Sequence, residues 1–294
     1  MALTSLSFLY YADNRKAVTE VAKKVLITGV SSGIGRLTAE LMAQHGWQVA
    51  ATSRDPMPLA GWANQHNISL FPLDVTNEVS VAATVLAVVE SFGGIDVLVN
   101  NAGYGLFGPL EGTTIEEVEL QFRTNLFGVI ALIRHVMPIM RKQHGGTIIN
   151  VSSIGGRIAA PFASLYHASK FALEGFSESF RYEASLHGIR VKLVEPEHFR
   201  TDFISRSLRV TGHEEYKTQF RNYMEWVHKE DSNAPPADPV AKAILHAAED
   251  RSARLRYPVH GAFILALASL LPDAIWRSLN EAGMTRRPKN SPGH

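Results

Sequence analysis

Short apolar runs alternate along the chain with longer segments in which apolar residues recur every three or four positions. The runs are rich in β-branched residues and almost continuously apolar, as strands covered on both faces are. They predict six strands, at residues 25–28, 48–52, 68–73, 97–100, 147–151 and 191–195. The helical period predicts helices at residues 34–45, 78–92, 115–142 and 164–187.

Alternating strands and helices predict an α/β fold, because parallel strands are joined by right-handed helical crossovers. We expect a doubly wound, Rossmann-type parallel sheet with helices on both faces. The 294 residues fit a single domain. We assign 1–22 to an N-terminal extension, 23–284 to the domain and 285–294 to a flexible tail. Residues 197–236 break the pattern with mixed charged and aromatic positions, which predicts an insertion that forms a substrate lid.

Charge and cysteine content narrow the possible partners. The formal net charge is +1, with 29 basic and 28 acidic residues interspersed, so no long basic face is available to nucleic acid. The chain has no cysteine, which excludes disulfides, thiolate nucleophiles and Cys-ligated metals. We expect no metal site. The redox compartment stays open, and the cytoplasm is the simplest expectation.

Two apolar stretches raise the question of a membrane. Residues 6–12 precede Arg15 and Lys16, which is the wrong order for a signal peptide. Residues 262–271 end at Pro272 and fall well short of the roughly 20 residues that span a bilayer. We expect no transmembrane segment and interpret the second stretch as a packed helix. A membrane-surface protein that uses residues 262–276 is the alternative.

Glycines follow the first predicted strand and lead directly into a helical pattern. They permit tight turning and close backbone approach, and the helix N-terminus offers unpaired N–H donors. This arrangement predicts a site for the pyrophosphate of a dinucleotide, although the spacing differs from G-x-G-x-x-G. An ordinary strand-to-helix turn is the alternative. The candidate residues are Gly29, Ser31, Ser32, Gly33, Ile34 and Gly35.

A basic side chain ends the second predicted strand, about 20 residues beyond the glycines, where the ribose of a dinucleotide is recognised. Arg54 offers a planar donor fork that suits a 2′-phosphate, whereas a free 2′-hydroxyl favours an acidic residue. The sequence therefore favours NADP(H) over NAD(H). In the alternative interpretation, Arg54 is an ordinary surface residue or pairs with Asp55.

Polar residues also follow the third and fourth predicted strands. Asp74, next to Val75, could accept a hydrogen bond from an adenine amino group or could cap the following helix. Asn101, Ala102 and Gly103 could stabilise irregular backbone beside a cofactor, and a plain turn would use the same residue types.

A tyrosine and a lysine lie four residues apart and therefore share one face of a predicted helix. The free phenol has a pKa of about 10, and a nearby ammonium lowers it by favouring the phenolate. Tyr166 and Lys170 can thus form an acid/base pair. Ser153 lies thirteen residues upstream, just beyond a predicted strand, and Ser152 is its competitor. Alone, such a tyrosine and lysine would be typical of surface packing.

Together these motifs resemble the short-chain dehydrogenase/reductase family over residues 24–203. The resemblance rests on the glycine-rich turn, the Asn100-to-Gly103 run, Asn125, Ser153 and the tyrosine–lysine pair. It implies that Tyr166 exchanges a proton with the substrate oxygen, that Lys170 lowers the phenol pKa and holds the nicotinamide ribose, and that Ser153 binds the substrate oxygen. It also implies that Asn125 kinks its helix and holds a water in a proton relay. A homodimer or homotetramer through helices 115–142 and 164–187 is implied as well.

One loop departs from the family pattern. The family has Pro-Gly after the sixth strand, whereas this chain has Pro196-Glu197. Thr201 matches the usual threonine of the segment that contacts the nicotinamide amide and pyrophosphate. Because Glu197 has a Cβ, either the backbone avoids positive φ at this position or it is strained.

The predicted function is an NADP(H)-dependent oxidoreductase that acts on a ketone or secondary alcohol. Residues around the tyrosine–lysine pair resemble the 17β-hydroxysteroid and retinol dehydrogenase branch, which implies a lipophilic substrate. Aromatic residues of the lid and of the loop after the fourth strand could line its cleft, or they could pack a small helical subdomain. A catalytically silent dinucleotide-binding regulator or scaffold is the alternative function. The cleft candidates are Tyr104, Leu106, Phe107, Phe203, Tyr216, Phe220, Tyr223, Met224 and Trp226.

Overall fold

The computed structural model describes residues 22–284. The tail predicted at 285–294 and the extension predicted at 1–22, apart from its last residue, lie outside the described residues. The strands are β1 Lys24–Thr28, β2 Gln48–Ser53, β3 Ser69–Pro72, β4 Val97–Asn100, β5 Gly105–Phe107, β6 Gly146–Val151, β7 Ile189–Pro196, β8 Leu208–Val210 and β9 Arg256–Val259. Seven of them form one parallel sheet in the order β3-β2-β1-β4-β6-β7-β9, and β5 pairs with β8. The predicted parallel sheet is confirmed, and β9 extends it.

Helices cover both faces of this sheet, as predicted. Their bounds are α1 Gly33–Gln44, α2 Ala60–His66, α3 Glu78–Phe92, α4 Ile115–Phe122, α5 Gly128–Lys142, α6 Ser164–Ser185, α7 Lys217–Asn233, α8 Asp238–Glu249, α9 Ala262–Leu270 and α10 Asp273–Met284. Residues of α1, α2 and α8 pack on one face, and residues of α3, α5 and α6 pack on the other. The chain is thus a three-layer α/β/α domain.

The continuous apolar strands explain this layering. In β1, Val25 and Ile27 belong to the core on one face, whereas Leu26 belongs to the core on the other. Side chains alternate between the faces of a strand, so a strand without polar positions must be covered on both sides. Each such side chain contributes about 1.5–3 kcal/mol when it is fully buried.

The segment predicted as one helix at 115–142 is helical over its whole length, but it is not one regular α-helix. A π-helical turn, Arg123–Phe127, separates α4 from α5. Asn125 lies in this turn and is buried, and its side-chain amide donates hydrogen bonds to the Tyr104 carbonyl (2.9 Å) and to the Ser169 hydroxyl (3.1 Å). Partners outside the helix thus hold the bulge, which a 3.6-residue period cannot reveal.

The interpretation of Asp74 as a helix cap is also wrong. Asn77 caps α3, because its side-chain oxygen accepts from the amides of Val79 and Ser80. Asp74 instead accepts from the backbone amide and the hydroxyl of Thr76, at 2.9 and 2.7 Å. Its carboxylate therefore closes a short turn beyond β3.

The segment predicted as a lid carries its own structure. A π-helical turn, Phe203–Ser207, leads into β8, and α7 follows. The pairing of β5 with β8 attaches this segment to the loop after β4. Beyond it, no residue of α9 is buried, and Phe263 and Leu270 are largely exposed, so the helix predicted there exists but is not fully packed. Between residues 22 and 284, no helix is long and apolar enough to cross a membrane.

Candidate active site

A cleft of about 1210 Å³ opens at the carboxyl ends of the parallel strands. The chain winds from β1 towards β3 and then restarts on the other side at β4, so adjacent loops diverge at this point, where ligands bind in doubly wound folds. Most of the predicted site residues line the cleft, and Gly35 and Asn125 lie outside its lining. The lining includes Gly29, Ser31, Ser32, Gly33, Ile34, Arg54, Asp74, Val75, Asn101, Ala102, Gly103, Ser153, Tyr166, Lys170, Pro196 and Thr201.

The glycine-rich turn is held by the loop after β4. Thr28 Oγ1 accepts from the backbone amides of Asn101 and Ala102, both at 2.9 Å. The Asn101 side-chain amide donates in return to the carbonyls of Thr28 (2.9 Å) and Gly29 (3.0 Å). Asn101 is thus a brace of the turn as well as part of the cleft wall.

Two glycines of the turn are required by close approach. Gly29 has φ 73°, and a Cβ on it would lie 2.9 Å from the Ala102 Cα. A Cβ on Gly35 would collide with the Gly29 carbonyl and the Asn101 amide. Helix α1 begins at Gly33, and its N-cap Ser32 makes no side-chain capping bond. Its first backbone N–H groups therefore lie at the cleft without a capping side chain, which is an arrangement that suits an anion.

Both arginines and aspartates line the end of the cleft beside β2. Arg54 is exposed, and among residues 22–284 no ion pair joins it to Asp55, whose carboxylate accepts from the Met57 amide instead. Sequence reasoning missed Arg36, which also lines the cleft and lies over the Trp62 ring at 4.8 Å. Its position directly after Gly35 was the available signal.

Three polar side chains converge at the other end of the cleft. Ser153 Oγ accepts from the Gly155 amide at 3.0 Å, donates to the Pro196 carbonyl at 3.4 Å, and lies near enough to the Tyr166 hydroxyl to affect its pKa. Lys170 Nζ donates to the Val151 carbonyl at 2.9 Å. The turn after β6 and the first turns of α6 thus bring Ser153, Tyr166 and Lys170 to one cleft.

Burial controls the protonation of this group. It raises the pKa of the Tyr166 phenol, and the hydrogen bond with Ser153 partly offsets the rise. It also lowers the pKa of Lys170 to about 8, although the Glu174 carboxylate acts in the opposite direction. The protein alone therefore holds the phenol neutral. A phenol pKa below the ordinary value would require the positive charge of the Lys170 ammonium to outweigh the effect of burial.

Ser152 and Ser153 differ in their surroundings. Ser152 is buried, and its hydroxyl has no hydrogen-bond partner among the described residues. Ser153 is less buried, and its hydroxyl lies near that of Tyr166 and affects the pKa of that phenol. This geometry favours Ser153 as the residue that faces a substrate.

The loop after β7 avoids strain at its unusual glutamate. Glu197 is not among the described residues with positive φ, and its amide donates to the Val259 carbonyl at 3.1 Å. Thr201 lies against the glycine-rich turn, with its Cβ 3.4 Å from the position of a Cβ on Gly33. The loop after β7 thus still lines the cleft, although Glu197 replaces the glycine of the family pattern.

Sequence reasoning missed His167, which neighbours Tyr166. Its Nε2 accepts from the Ala160 amide at 3.0 Å, so Nδ1 carries the proton and donates to the Gly155 carbonyl at 2.8 Å. Burial lowers the pKa of this imidazole. A neutral His167 thus fixes the turn that carries Ser153.

The family pattern described as short chain dehydrogenase matches residues 23–209, more than half of the sequence. The chain belongs to the short-chain dehydrogenase family. It is an oxidoreductase that acts on CH–OH or C=O groups.

Several relatives of this short-chain dehydrogenase extend the comparison. It is 42% identical over 212 residues to 3-ketodihydrosphingosine reductase of Bacteroides thetaiotaomicron, covering 71% of this chain and 77% of the relative. It is 38% identical over 208 residues to retinol dehydrogenase 8 of Bos taurus, covering 68% and 66%. A Burkholderia phymatum short chain dehydrogenase/reductase solved with NAD matches with TM-score 0.75 and 25% identity, covering 93% and 98%. A metagenomic short-chain oxidoreductase solved with NADP matches with TM-score 0.65 and 27% identity, covering 81% and 96%.

Aromatic side chains surround Tyr166 in this dehydrogenase. Its ring centroid lies 5.8 Å from that of Phe107 and 6.0 Å from that of Phe203. Of the predicted aromatic residues, Tyr104, Phe107, Phe203, Tyr223 and Trp226 line the cleft. Tyr216, Phe220, Met224 and Leu106 are absent from its lining. Phe220 and Met224 instead belong to an apolar cluster in which α7 of the lid packs against Phe107 and Ala163. Both interpretations of these residues therefore hold in part. In the described part of the chain, no cluster of His, Asp or Glu side chains could hold a metal ion.

Proposed function

We propose that this short-chain dehydrogenase transfers a hydride between NADP(H) and a lipophilic ketone or secondary alcohol. The observation that carries the proposal is the placement of Ser153, Tyr166 and Lys170 in the same cleft as the glycine-rich turn and Arg54. An acid/base group and a nucleotide cradle are the two parts that such a reaction needs.

The cleft fits a dinucleotide. Gly29 and Gly35 carry no side chain, and their surroundings leave no room for one. A pyrophosphate at the start of α1 would therefore meet backbone N–H groups. Arg54 is exposed, unpaired within residues 22–284, and free to bind a 2′-phosphate. When bound, the nicotinamide supplies the hydride to the carbonyl carbon or accepts it from the alcohol carbon.

The proton moves through Tyr166 in this proposal. In the reduction, the Ser153 hydroxyl binds the substrate oxygen, and the Tyr166 phenol donates its proton to that oxygen as the C=O bond becomes C–OH. The oxidation reverses both movements. The Lys170 ammonium holds the nicotinamide ribose and lowers the phenol pKa against the effect of burial.

Asn125 supports the same group from behind. Its buried side-chain amide donates to the Tyr104 carbonyl and to the hydroxyl of Ser169, the residue before Lys170 on α6. We propose that Asn125 holds a water molecule in a proton relay that leads to Lys170.

The apolar cleft favours a lipophilic substrate. Phe107, Phe203, Tyr223 and Trp226 line it beside Tyr166. Two relatives are named for a ketone of dihydrosphingosine and for retinol, both of which are lipophilic compounds. We therefore expect kcat/KM to rise as the alkyl chain of a ketone lengthens, since each buried methylene contributes about 0.8 kcal/mol.

The proposal is tested with a panel of ketones and secondary alcohols, with NADPH absorbance as the readout. The matched variant is Tyr166→Phe, which removes only the hydroxyl. We expect kcat to fall by at least about 100-fold, while NADPH binding measured by fluorescence is retained. Undiminished turnover in Tyr166→Phe would overturn the mechanism. If the wild type binds NADPH but turns over no compound of the panel, the result would favour the alternative function, a catalytically silent dinucleotide-binding protein.

We further propose a homodimer or homotetramer. Phe127, between α4 and α5, and Tyr182, on α6, are both exposed, as an interface formed by these helices would require. Light scattering of the purified chain tests this proposal, and a monomer at micromolar concentration would contradict it.

A further inference from the structure

Helix α9 is apolar and lies on the surface of the domain. Its nine residues are apolar except for Ser269, and none of them is buried. Each of the helices α1 to α8, by contrast, buries at least one residue. A helix that is apolar on all sides is ordinarily covered by the rest of the fold or by a membrane. Residues 22–284 thus leave an apolar helix without a full cover.

The largest exposed side chains of α9 share one face. Phe263 is 79% exposed and Leu270 is 81% exposed. They are seven residues apart, which is about two helical turns. On α10, which follows almost directly, Ile275 and Leu279 are also exposed and lie four residues apart on one face. We call these four side chains the apolar patch.

The inner side of the same helices belongs to the active-site cleft. Ile264 on α9 lines the cleft, and so does Trp276 on α10. Gly261, immediately before α9, is buried, and a Cβ on it would collide with Ile154, the residue after Ser153. The helices that carry the apolar patch therefore also form part of the cleft wall.

A basic segment follows α10 in the sequence. Residues 282–294 contain Arg286, Arg287 and Lys289 and no acidic side chain. The formal net charge of the whole chain is only +1. Positive charge is thus concentrated in the part of the sequence that follows the apolar patch.

Apolar surface next to basic residues fits the surface of a bilayer that contains anionic lipids. A helix lies in the plane of such a membrane when its apolar side chains enter the acyl boundary and nearby Lys and Arg side chains bind the headgroups. A second copy of the chain fits the patch less well. A two-fold contact pairs a surface with itself, and it would bring two copies of the basic segment together.

We propose that α9 and α10 dock this protein on the surface of an anionic lipid bilayer, with the apolar patch in the acyl boundary and the basic segment on the headgroups. The contact is interfacial, because α9 has nine residues and a span needs about 20. A lipophilic molecule in the bilayer then lies next to the cleft wall formed by Ile264 and Trp276. The inference goes beyond the proposed reaction, since docking requires no turnover.

Vesicle flotation of the full chain tests the proposal. Phosphatidylcholine vesicles are prepared with and without phosphatidylglycerol, and the bound fraction is measured over a series of lipid concentrations. The patch variant carries Phe263→Gln and Leu270→Gln. Its matched control carries Val79→Gln and Leu186→Gln, because these apolar side chains are 79% and 82% exposed elsewhere on the surface. Circular dichroism establishes that both variants are folded.

We expect the wild type and the control variant to bind the vesicles that contain phosphatidylglycerol. The patch variant should bind them at least about tenfold more weakly, because two large apolar side chains no longer enter the bilayer. A charge variant with Arg286→Gln, Arg287→Gln and Lys289→Gln should also bind them at least about tenfold more weakly, since it no longer attracts anionic headgroups.

Equal binding by the patch variant and its control would overturn the inference. Wild-type protein that floats with neither kind of vesicle would overturn it too, and a patch variant that is then smaller than the wild type in light scattering would show that a second copy covers the patch. Tyr166→Phe should float as the wild type does, whether or not it has lost turnover. Failure of the docking and failure of the proposed function are therefore distinguished.

Discussion

The side-chain hydroxyl of Thr28 accepts a hydrogen bond from the backbone amide of Asn101 at 2.9 Å. It accepts a second from the amide of Ala102 at the same distance, so one oxygen ties the end of β1 to the loop after β4. The glycine-rich turn lies between these segments, and its geometry depends on this tie.

Replacement of Thr28 by valine should therefore destabilise the protein. The change leaves two backbone amides without their acceptor, and we expect the free energy of unfolding to fall by about 1–3 kcal/mol. Thr28→Ser keeps the oxygen and is the control. Urea denaturation measures both. Equal stabilities of the valine and serine variants would contradict the assigned role of the hydroxyl.

Exchange of the neighbouring serines should separate their roles. Ser153→Ala removes the hydroxyl proposed to bind the substrate oxygen beside Tyr166, and we expect kcat to fall by about 100-fold, as is typical when an oxyanion donor is lost. Ser152→Ala removes a hydroxyl that has no partner among the described residues, so kcat should stay near the wild-type value. Steady-state kinetics with one ketone and NADPH decide the ranking, and the reverse order would show that Ser152 is the functional serine.

Arg54→Glu should reverse the cofactor preference. A carboxylate repels a 2′-phosphate, so the NADPH KM should rise about tenfold or more while the NADH KM changes little. The control is Arg123→Glu, which alters an exposed arginine that pairs with Glu119 away from the cleft lining. Parallel changes in both KM values after Arg54→Glu would remove the support for NADP(H).

Acid should destabilise the turn that His167 holds. Burial lowers the pKa of this imidazole in the fold from its ordinary value of 6.5, so the unfolded chain binds the proton more readily. The stability contributed by neutral His167 is present above pH 6.5 and is lost as the pH falls below it. Tm measured from pH 7.5 to 5 should decline less steeply in His167→Gln than in the wild type. The exposed His228→Gln is the control, and identical slopes for all three proteins would refute the effect.

Local patterns determined much of the fold. The apolar run Val25, Leu26 and Ile27 predicts a strand covered on both faces because neighbouring side chains alternate, and the structure buries all three. The spacing of Tyr166 and Lys170 places both on one face of α6 because four residues make about one helical turn. The glycine-rich turn was predictable for the same reason, since its residues are neighbours in the chain.

Other features depended on partners that are distant in sequence. The π turn at Asn125 depends on Tyr104 and Ser169, and the carboxylate of Glu174 meets Arg256, which lies 82 residues away. Sequence reasoning missed β9 and the pairing of Glu174 with Arg256 for this reason.

The sequence by itself determined which segments become strands and helices and which chemical groups stand at their ends. The tertiary structure alone decided which charges are buried together, and hence which groups hold or lose a proton. The physical reason is that periodicity is a property of neighbouring residues, whereas burial and electrostatic interaction depend on distances in space that only the folded chain sets.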